Sequence, residues 1–230
     1  MADTSSELMH FSEEFQRMVD EYFLVQCRYQ AALREVQTKL EALNLEFETM
    51  HHRNPIHHME SRMKTLQSIV GKLHRKNMDI SISSAMENLY DIAGIRVVCS
   101  YIQDVFQMAD LLTAQDDIRV VRINDYIHHP KANGYRSLHL VIEVPVYLSE
   151  GRLLVLVEVQ LRTIAMDFWA SLEHNLRYKS DEHVPQEISE ELLKTAGDIA
   201  QIDERMQAIH DQMDRLHLNT PRHLPTLEES

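Results

Sequence analysis

Residues 153–162 read LLVLVEVQLR, and the fold follows from how that run alternates. In an extended chain successive side chains point to opposite faces, so Leu153, Val155, Val157, Val159 and Leu161 share one apolar face. Glu158, Gln160 and Arg162 then stand together on the other. The residues just before it, SEGR at 149–152, form a hairpin signal in which Gly151 can take an unusual backbone angle. Upstream of that turn a second strand is expected over 137–147, with Ser137 and His139 opposite Leu138, Leu140 and Ile142. Pairing both apolar faces to one core places His139, Glu158, Gln160 and Arg162 on a shared polar face. A solvated sheet face is the plain alternative.

Moving outward, Thr163 can cap a helix over Ile164–Lys179, Ile118 to Ile123 reads as a strand, Val105 to Leu112 as a helix, and Ile95 to Cys99 as a short β-branched strand. Long helices flank this centre. Phe15, Met18, Tyr22, Val25, Tyr29, Ala32 and Val36 alternate spacings of three and four, continued by Leu40, Leu43, Phe47 and Met50. One long amphipathic helix, or two separated by a kink, is the reading. Near the other end Leu192, Ile199, Met206 and Met213 form one seven-residue series and Ile202, Ile209 and Leu216 a second, a seam that packs on another helix. The partner is either the N-terminal helix or a second subunit. The fold class is therefore α+β with long N- and C-terminal helices. Its expected divisions are a helical extension over 1–50, a central domain over 51–180, the heptad helix over 181–220 and a disordered tail over 221–230.

The formal net charge of −13 is carried by the ends of the chain. Residues 51–76 run the other way, with Arg53, Arg62, Lys64, Lys72, Arg75 and Lys76 against the single acid Glu60. A positive patch inside an acidic protein suits a small polyanion, whereas the acidic flanks repel long nucleic acid, so no stable nucleic-acid partner is expected. No stretch approaches the roughly 18 apolar residues a membrane helix needs, and the N-terminus lacks an apolar signal core. Cys27 and Cys99 have no metal or redox spacing and read as buried reduced thiols, which fits the cytoplasm.

Chemistry converges on three places. Asp91 stands directly before IAGIRVVC (92–99), and with Glu158 on an adjoining strand it can coordinate a Mg²⁺ that also binds phosphate oxygens. An ion pair between Asp91 and an arginine is the plain alternative. On a helix over residues 61–76, Met63, Leu66, Val70 and Leu73 make an apolar face while Lys64, Ser68, Lys72 and Lys76 make a polar, mostly cationic one. Arg75 borders that stripe and Arg62 lies just before it, an arrangement that can follow a triphosphate or simply be solvated. The loop HHPKANGYRSLHL (128–140) offers His128, His129, Lys131, Tyr135 and Arg136 to a nucleotide. Adjacent histidines such as His57 and His58 point in different directions, which argues against a dedicated zinc site. A lone His210–Asp211 pair falls in the heptad helix, where an exposed face is expected.

The runs SRMKTLQSIVGKLHRK, DIAGIRVVC, NGYRSLHL and VEVQLRT with AMDFWASLEH resemble, in order, the synthetase domain of the RelA/SpoT homologues, and most closely the single-domain small alarmone synthetases. The resemblance implies a nucleotidyltransferase-like mixed sheet flanked by helices. It also implies transfer of pyrophosphate from ATP to the 3′-hydroxyl of GDP or GTP with Mg²⁺, without hydrolase activity, by a homotetramer assembled partly through the 192–216 helix. It assigns Asp91 and Glu158 to the metal, with Glu158 also taking the proton of the acceptor hydroxyl. Arg62 and Arg96 sandwich adenine, and Lys64, Ser68, Lys72 and Arg75 hold the ATP phosphates. On the acceptor side Tyr135 stacks on guanine and Lys131 contacts its phosphates. His139 and Gln160 line the ribose region beside Arg162, and Asp167 reads the guanine edge. The competing class is a non-catalytic nucleotide-binding or single-stranded-RNA-binding module.

Overall fold

A five-stranded mixed sheet carries the molecule, and its strand order places the hairpin quoted above at the centre. The computed structural model describes residues 3–179 and 185–218, with side chains over 22–176 and 185–216; the expected tail over 221–230 lies outside the described residues. In chain order the elements are α1 (Asp3–His51), β1 (Ile56–Met63), α2 (Leu66–Arg75), α3 (Ile82–Asn88), β2 (Ala93–Cys99) and α4 (Ile102–Thr113). Then follow β3 (Arg119–Asp125), β4 (Leu138–Leu148), β5 (Gly151–Thr163), α5 (Ile164–Lys179) and α6 (Gln186–Leu218).

The sheet runs β1-β2-β5-β4-β3, with β2 and β5 parallel and the other neighbours antiparallel. The alternation in 153–162 is realised as expected. Val155, Val157, Val159 and Leu161 are buried with Ile95, Val97, Leu140 and Ile142, and α1 and α4 cover that face. Each such fully buried aliphatic side chain contributes about 1.5–3 kcal/mol. The SEGR turn joins β4 to β5 with Gly151 at φ 107°, a left-handed angle that glycine adopts without a Cβ clash. Thr163 caps α5 by accepting the Met166 N–H at 3.1 Å. The N-terminal stripe is a single unbroken helix whose Val25, Tyr29, Ala32, Val36, Leu40 and Phe47 enter the core.

Four sequence expectations are corrected. The helix expected over 61–76 is a strand followed by a shorter helix: Ser61, Arg62 and Met63 end β1, and α2 begins after Thr65, whose hydroxyl accepts the Ser68 N–H at 3.2 Å. The strand is hidden because Met63, Leu66, Val70 and Leu73 keep a helical spacing across the junction, while β1 is an edge strand with little buried surface. The adjacent histidines His57 and His58 do meet: a register shift in β1 between Ile56 and His58 brings their Nδ1 atoms to 2.9 Å. Cys99 is buried as expected, but Cys27 lies exposed on α1, and both are free thiols. Finally, His210 is not on an open face. Its ring stacks on Tyr101 with centroids 4.1 Å apart and planes 2° from parallel.

The heptad helix α6 packs on α5 and α4. Leu192, Ala196 and Ile199 meet Trp169 and Ala170 of α5, and the small Ala196 and Ala200, one turn apart, allow close approach. Beyond them Ile202, Met206 and Ile209 are exposed.

Candidate active site

Strand register builds the polar face. Across β1 and β2, Arg62 pairs with Gly94 and Glu60 with Arg96; across β2 and β5, Gly94 pairs with Glu158 and Arg96 with Gln160; across β5 and β4, Gln160 pairs with His139. Directly opposed residues share a face, and so do residues two apart on one strand. Arg62, Arg96, Glu158, Gln160, Arg162 and His139 therefore share one surface, opposite the core. Gly94 leaves its floor bare between Arg62 and Glu158. A cleft of about 20 Å³ opens there, lined by Arg62, Asp91, Arg96, Glu158 and Gln160. That is room for about one water or one small ion.

Asp91 reaches this cleft from the residue before Ile92, whose carbonyl accepts the Lys64 N–H at 2.8 Å. Its Oδ2 accepts from Lys64 Nζ at 2.5 Å and Lys72 Nζ at 2.6 Å, joining β1 and α2 to the start of β2. Its Oδ1 is buried and has no hydrogen-bond partner. Burial alone raises the Asp91 carboxyl, but the two lysines outweigh it and hold it below the usual carboxylate value. The sequence alternative of an arginine pair is replaced by these lysines.

Glu158 is held differently. His139 Nδ1 lies 3.2 Å from Oε1, and Gln160 Nε2 donates to Oε2 at 2.8 Å. His139 Nε2 lies 2.9 Å from the Tyr135 hydroxyl, which accepts from Arg162 at 3.1 Å; Arg162 also donates to Gln160 Oε1 at 2.9 Å. With Nδ1–H donating to Glu158 and the tyrosine hydroxyl donating to Nε2, every link is satisfied. Burial pushes the Glu158 carboxyl up and the nearby Asp91 charge adds to that, yet the His139 and Gln160 bonds leave it below its ordinary value.

The remaining candidates divide. Arg62 and Arg96 lie diagonally on adjoining strands, a separation of about 7–8 Å that admits a planar ring between two guanidinium groups. Arg96 also donates to Glu60 at 3.1 Å and lies 3.7 Å from Asp167, whose carboxylate accepts from Arg162 at 3.3 Å. Asp167 is thus engaged by two cations. Ser68 and Arg75 stand exposed near opposite ends of α2, outside the cleft lining. Lys131 Nζ sits over the rings of both Tyr126 and Tyr135, at 4.5 and 4.7 Å from their centroids. Tyr135 is half-buried, not sealed in.

Glu60 and Tyr126 are site residues that sequence reasoning missed. Glu60 joins the site only through the β1–β2 register. Tyr126 had a signal, an aromatic residue directly before a cationic loop. Among the described residues no three His, Cys, Asp or Glu side chains gather to hold a metal. Asp91 Oδ1 and the Glu158 carboxylate remain as a two-carboxylate set at one small cleft, the donor number Mg²⁺ takes when substrate phosphates and water complete its shell.

A sheet face with two carboxylates, beside a helix carrying Lys72 and an aromatic loop, has the chemistry to receive phosphate groups together with a divalent cation. The chain belongs to the RelA/SpoT family: residues 61–183 match the model described as the region found in RelA / SpoT proteins. Within that family it is similar to GTP pyrophosphokinase YwaC of Bacillus subtilis, 46% identical over 187 residues that cover 81% of this chain and 89% of the relative. Among solved structures it resembles B. subtilis small alarmone synthetase 2 (TM-score 0.76, 41% identity, 84% of this chain and 99% of that one). It also resembles B. subtilis small alarmone synthetase 1 bound to its product pppGpp (TM-score 0.75, 36% identity, 84% and 96%). The same enzyme bound to AMPCPP matches with TM-score 0.73, 31% identity, and 85% and 99% coverage.

Proposed function

We propose that this chain is a small alarmone synthetase that transfers the pyrophosphoryl group of ATP to the 3′-hydroxyl of GDP or GTP. The observation that carries the reading is the meeting of Asp91 and Glu158 at one cleft, with a lysine-bearing helix on one side and an aromatic loop on the other. The acceptor 3′-oxygen attacks the β-phosphorus of ATP. The bond from that phosphorus to the bridging oxygen of the α-phosphate breaks, and AMP leaves. Glu158 takes the hydroxyl proton, its carboxylate kept ionised and oriented by His139 and Gln160. Lys64, Ser68, Lys72 and Arg75 receive the ATP phosphates, and the charge of the two lysines and the arginine stabilises the departing AMP. Arg62 and Arg96 take adenine between them.

On the acceptor side guanine stacks on Tyr135, which requires the Lys131 ammonium to leave that ring for the acceptor phosphates. His139, Gln160 and Arg162 face the ribose, and Asp167 meets the guanine edge. A bound Mg²⁺ would neutralise phosphate charge and lower the pKa of the acceptor hydroxyl, and Asp91 Oδ1 with the Glu158 carboxylate would hold it.

The expected assembly is a homotetramer using the exposed part of α6, Ile202, Met206 and Ile209, and light scattering at the monomer mass would rule it out. Among the described residues no helix is long and apolar enough to cross a membrane, and we place the enzyme in the cytoplasm with its nucleotide substrates. Synthesis without hydrolysis is expected. The test is direct. Purified protein with ATP, GDP and Mg²⁺ should yield AMP and a guanosine bearing a 3′-diphosphate in equal amounts. Binding of both nucleotides without that product would instead make the chain a sensor.

A further inference from the structure

We propose that the first half of α6 is a buttress for the acceptor loop over residues 127–136, so that Leu193 and Ala196 act as positioning residues for the guanosine nucleotide. The proposal rests on the functional reading above. It begins at Gly134. This residue has φ 88°, and a Cβ placed on it would lie 2.5 Å from the Ala196 Cβ and 3.2 Å from Leu193 Cδ1. The helix therefore lies directly on the loop backbone, with no space for even a methyl group.

The same residue organises the loop. The Gly134 N–H donates to the Lys131 carbonyl at 2.8 Å, and the Lys131 N–H donates to the Tyr135 carbonyl at 3.1 Å. These bonds set the two side chains that meet the acceptor. Tyr135 itself packs against the cluster of Trp169, Ala170 and Ala196. One further tie fixes the loop to a helix, with Asn133 Nδ2 donating to the buried Glu173 of α5 at 3.0 Å, and within the loop the Asn133 Oδ1 accepts the Tyr135 N–H at 3.2 Å.

The helix is in turn anchored at both ends of this contact. Trp169 Nε1 donates to the Leu192 carbonyl at 3.1 Å, and the buried Asp203 accepts from Thr163, the α5 cap, at 2.5 Å. The void between Gly134, Arg136, Trp169 and Ala196 is only about 10 Å³, too small to hold a water comfortably. A packed contact without slack moves as a unit, so a displacement of α6 carries Gly134, Lys131 and Tyr135 with it. The ATP side is held by other elements, since Lys64 and Lys72 tie Asp91 to β1 and α2. A disturbance of α6 should thus be read by one substrate and not by the other.

The experiment replaces Ala196→Leu in the full chain, with Gly134→Ala as the matching change from the loop side. KM for GDP should rise about ten-fold while KM for ATP changes less than about two-fold, the scale of an ordinary coupling between contacting elements. Hydrogen exchange of the Lys131, Gly134 and Tyr135 amides should quicken in Ala196→Leu. Equal changes for both nucleotides, or none, would overturn the proposal. Should either variant fold poorly, wild-type protein decides by reciprocity: saturating GDP should slow amide exchange across residues 192–203 and ATP alone should not. No effect of GDP there also overturns it. If wild-type protein makes no 3′-diphosphate product, the functional reading fails on its own, and the exchange comparison between wild type and Ala196→Leu still decides whether helix and loop are coupled.

Discussion

The two carboxylates of the cleft are held by opposite means. Asp91 sits at a junction of three segments and is gripped by two ammonium groups, Lys64 and Lys72, while its other oxygen has no partner. Glu158 sits inside a strand and is held on both oxygens, by His139 and Gln160, in a network rooted in the β4–β5 register. Charge holds the first, and register holds the second. Lysines on a strand end and a helix can exchange a carboxylate for phosphates without disturbing the sheet. A base that must accept a proton from one defined oxygen is better served by directional hydrogen bonds from fixed neighbours. On the proposed function, the lysine grip on Asp91 is arranged to be rebuilt by the donor nucleotide, while the base Glu158 is arranged beforehand and Lys131 is the acceptor-side group that must move.

The largest expected effect tests the acceptor half. Glu158→Gln removes the base but keeps the shape, and the synthesis rate should fall by about 10²–10⁴-fold with ATP affinity largely kept. Next is Asp91→Asn, which leaves Lys64 and Lys72 without their shared anion. Its activity should fall by at least about ten-fold, and raised Mg²⁺ should recover part of it, which Glu158→Gln should not show. Tyr135→Ala deletes the stacking surface and should weaken GDP binding by about 1–3 kcal/mol. Tyr135→Phe keeps the ring and loses the hydroxyl that bonds His139 and Arg162, so calorimetric affinity should change little while kcat drops. If both variants bind GDP equally badly, the hydroxyl chain to Glu158 is not what distinguishes this half.

Acid stability gives a smaller but cleaner contrast. Both carboxyls lie below their ordinary values, so each contributes stability that is fully present above the ordinary range and is lost as pH falls through its lowered folded value. Without nucleotide, the melting temperature of wild type should decline below about pH 4, the usual carboxylate range. Asp91→Asn should decline less steeply over that span. Smallest of all, Thr65→Ala removes the α2 cap and should cost about 1 kcal/mol of stability, with its kinetic effect confined to KM for ATP.

The acceptor half was far more legible in the sequence than the donor half, for the same structural reason. A period-two alternation in residues 153–162 fixes which side chains face together, and His139, Glu158, Gln160 and Arg162 were found from it directly. Thr163 and the helix after it followed from ordinary capping chemistry. The donor half depends on β1, a polar edge strand with an irregular register whose few apolar residues mimic a helix with those of α2. From the sequence Arg62 reads as the neighbour of a cationic helix stripe, whereas it stands near the end of β1 on the polar face, and Glu60 is missed with it. The contact of Gly134 with Ala196 links residues far apart in the chain, and no local pattern in either segment announces it.

The central claim is that Asp91 and Glu158 share one divalent ion between two nucleotides. Electron paramagnetic resonance with Mn²⁺ standing in for Mg²⁺ measures this most directly. In the presence of a non-hydrolysable ATP analogue and GDP, wild-type protein should bind one ion per active site, and both Asp91→Asn and Glu158→Gln should weaken that binding. Unchanged Mn²⁺ affinity and spectra in both variants would contradict the account.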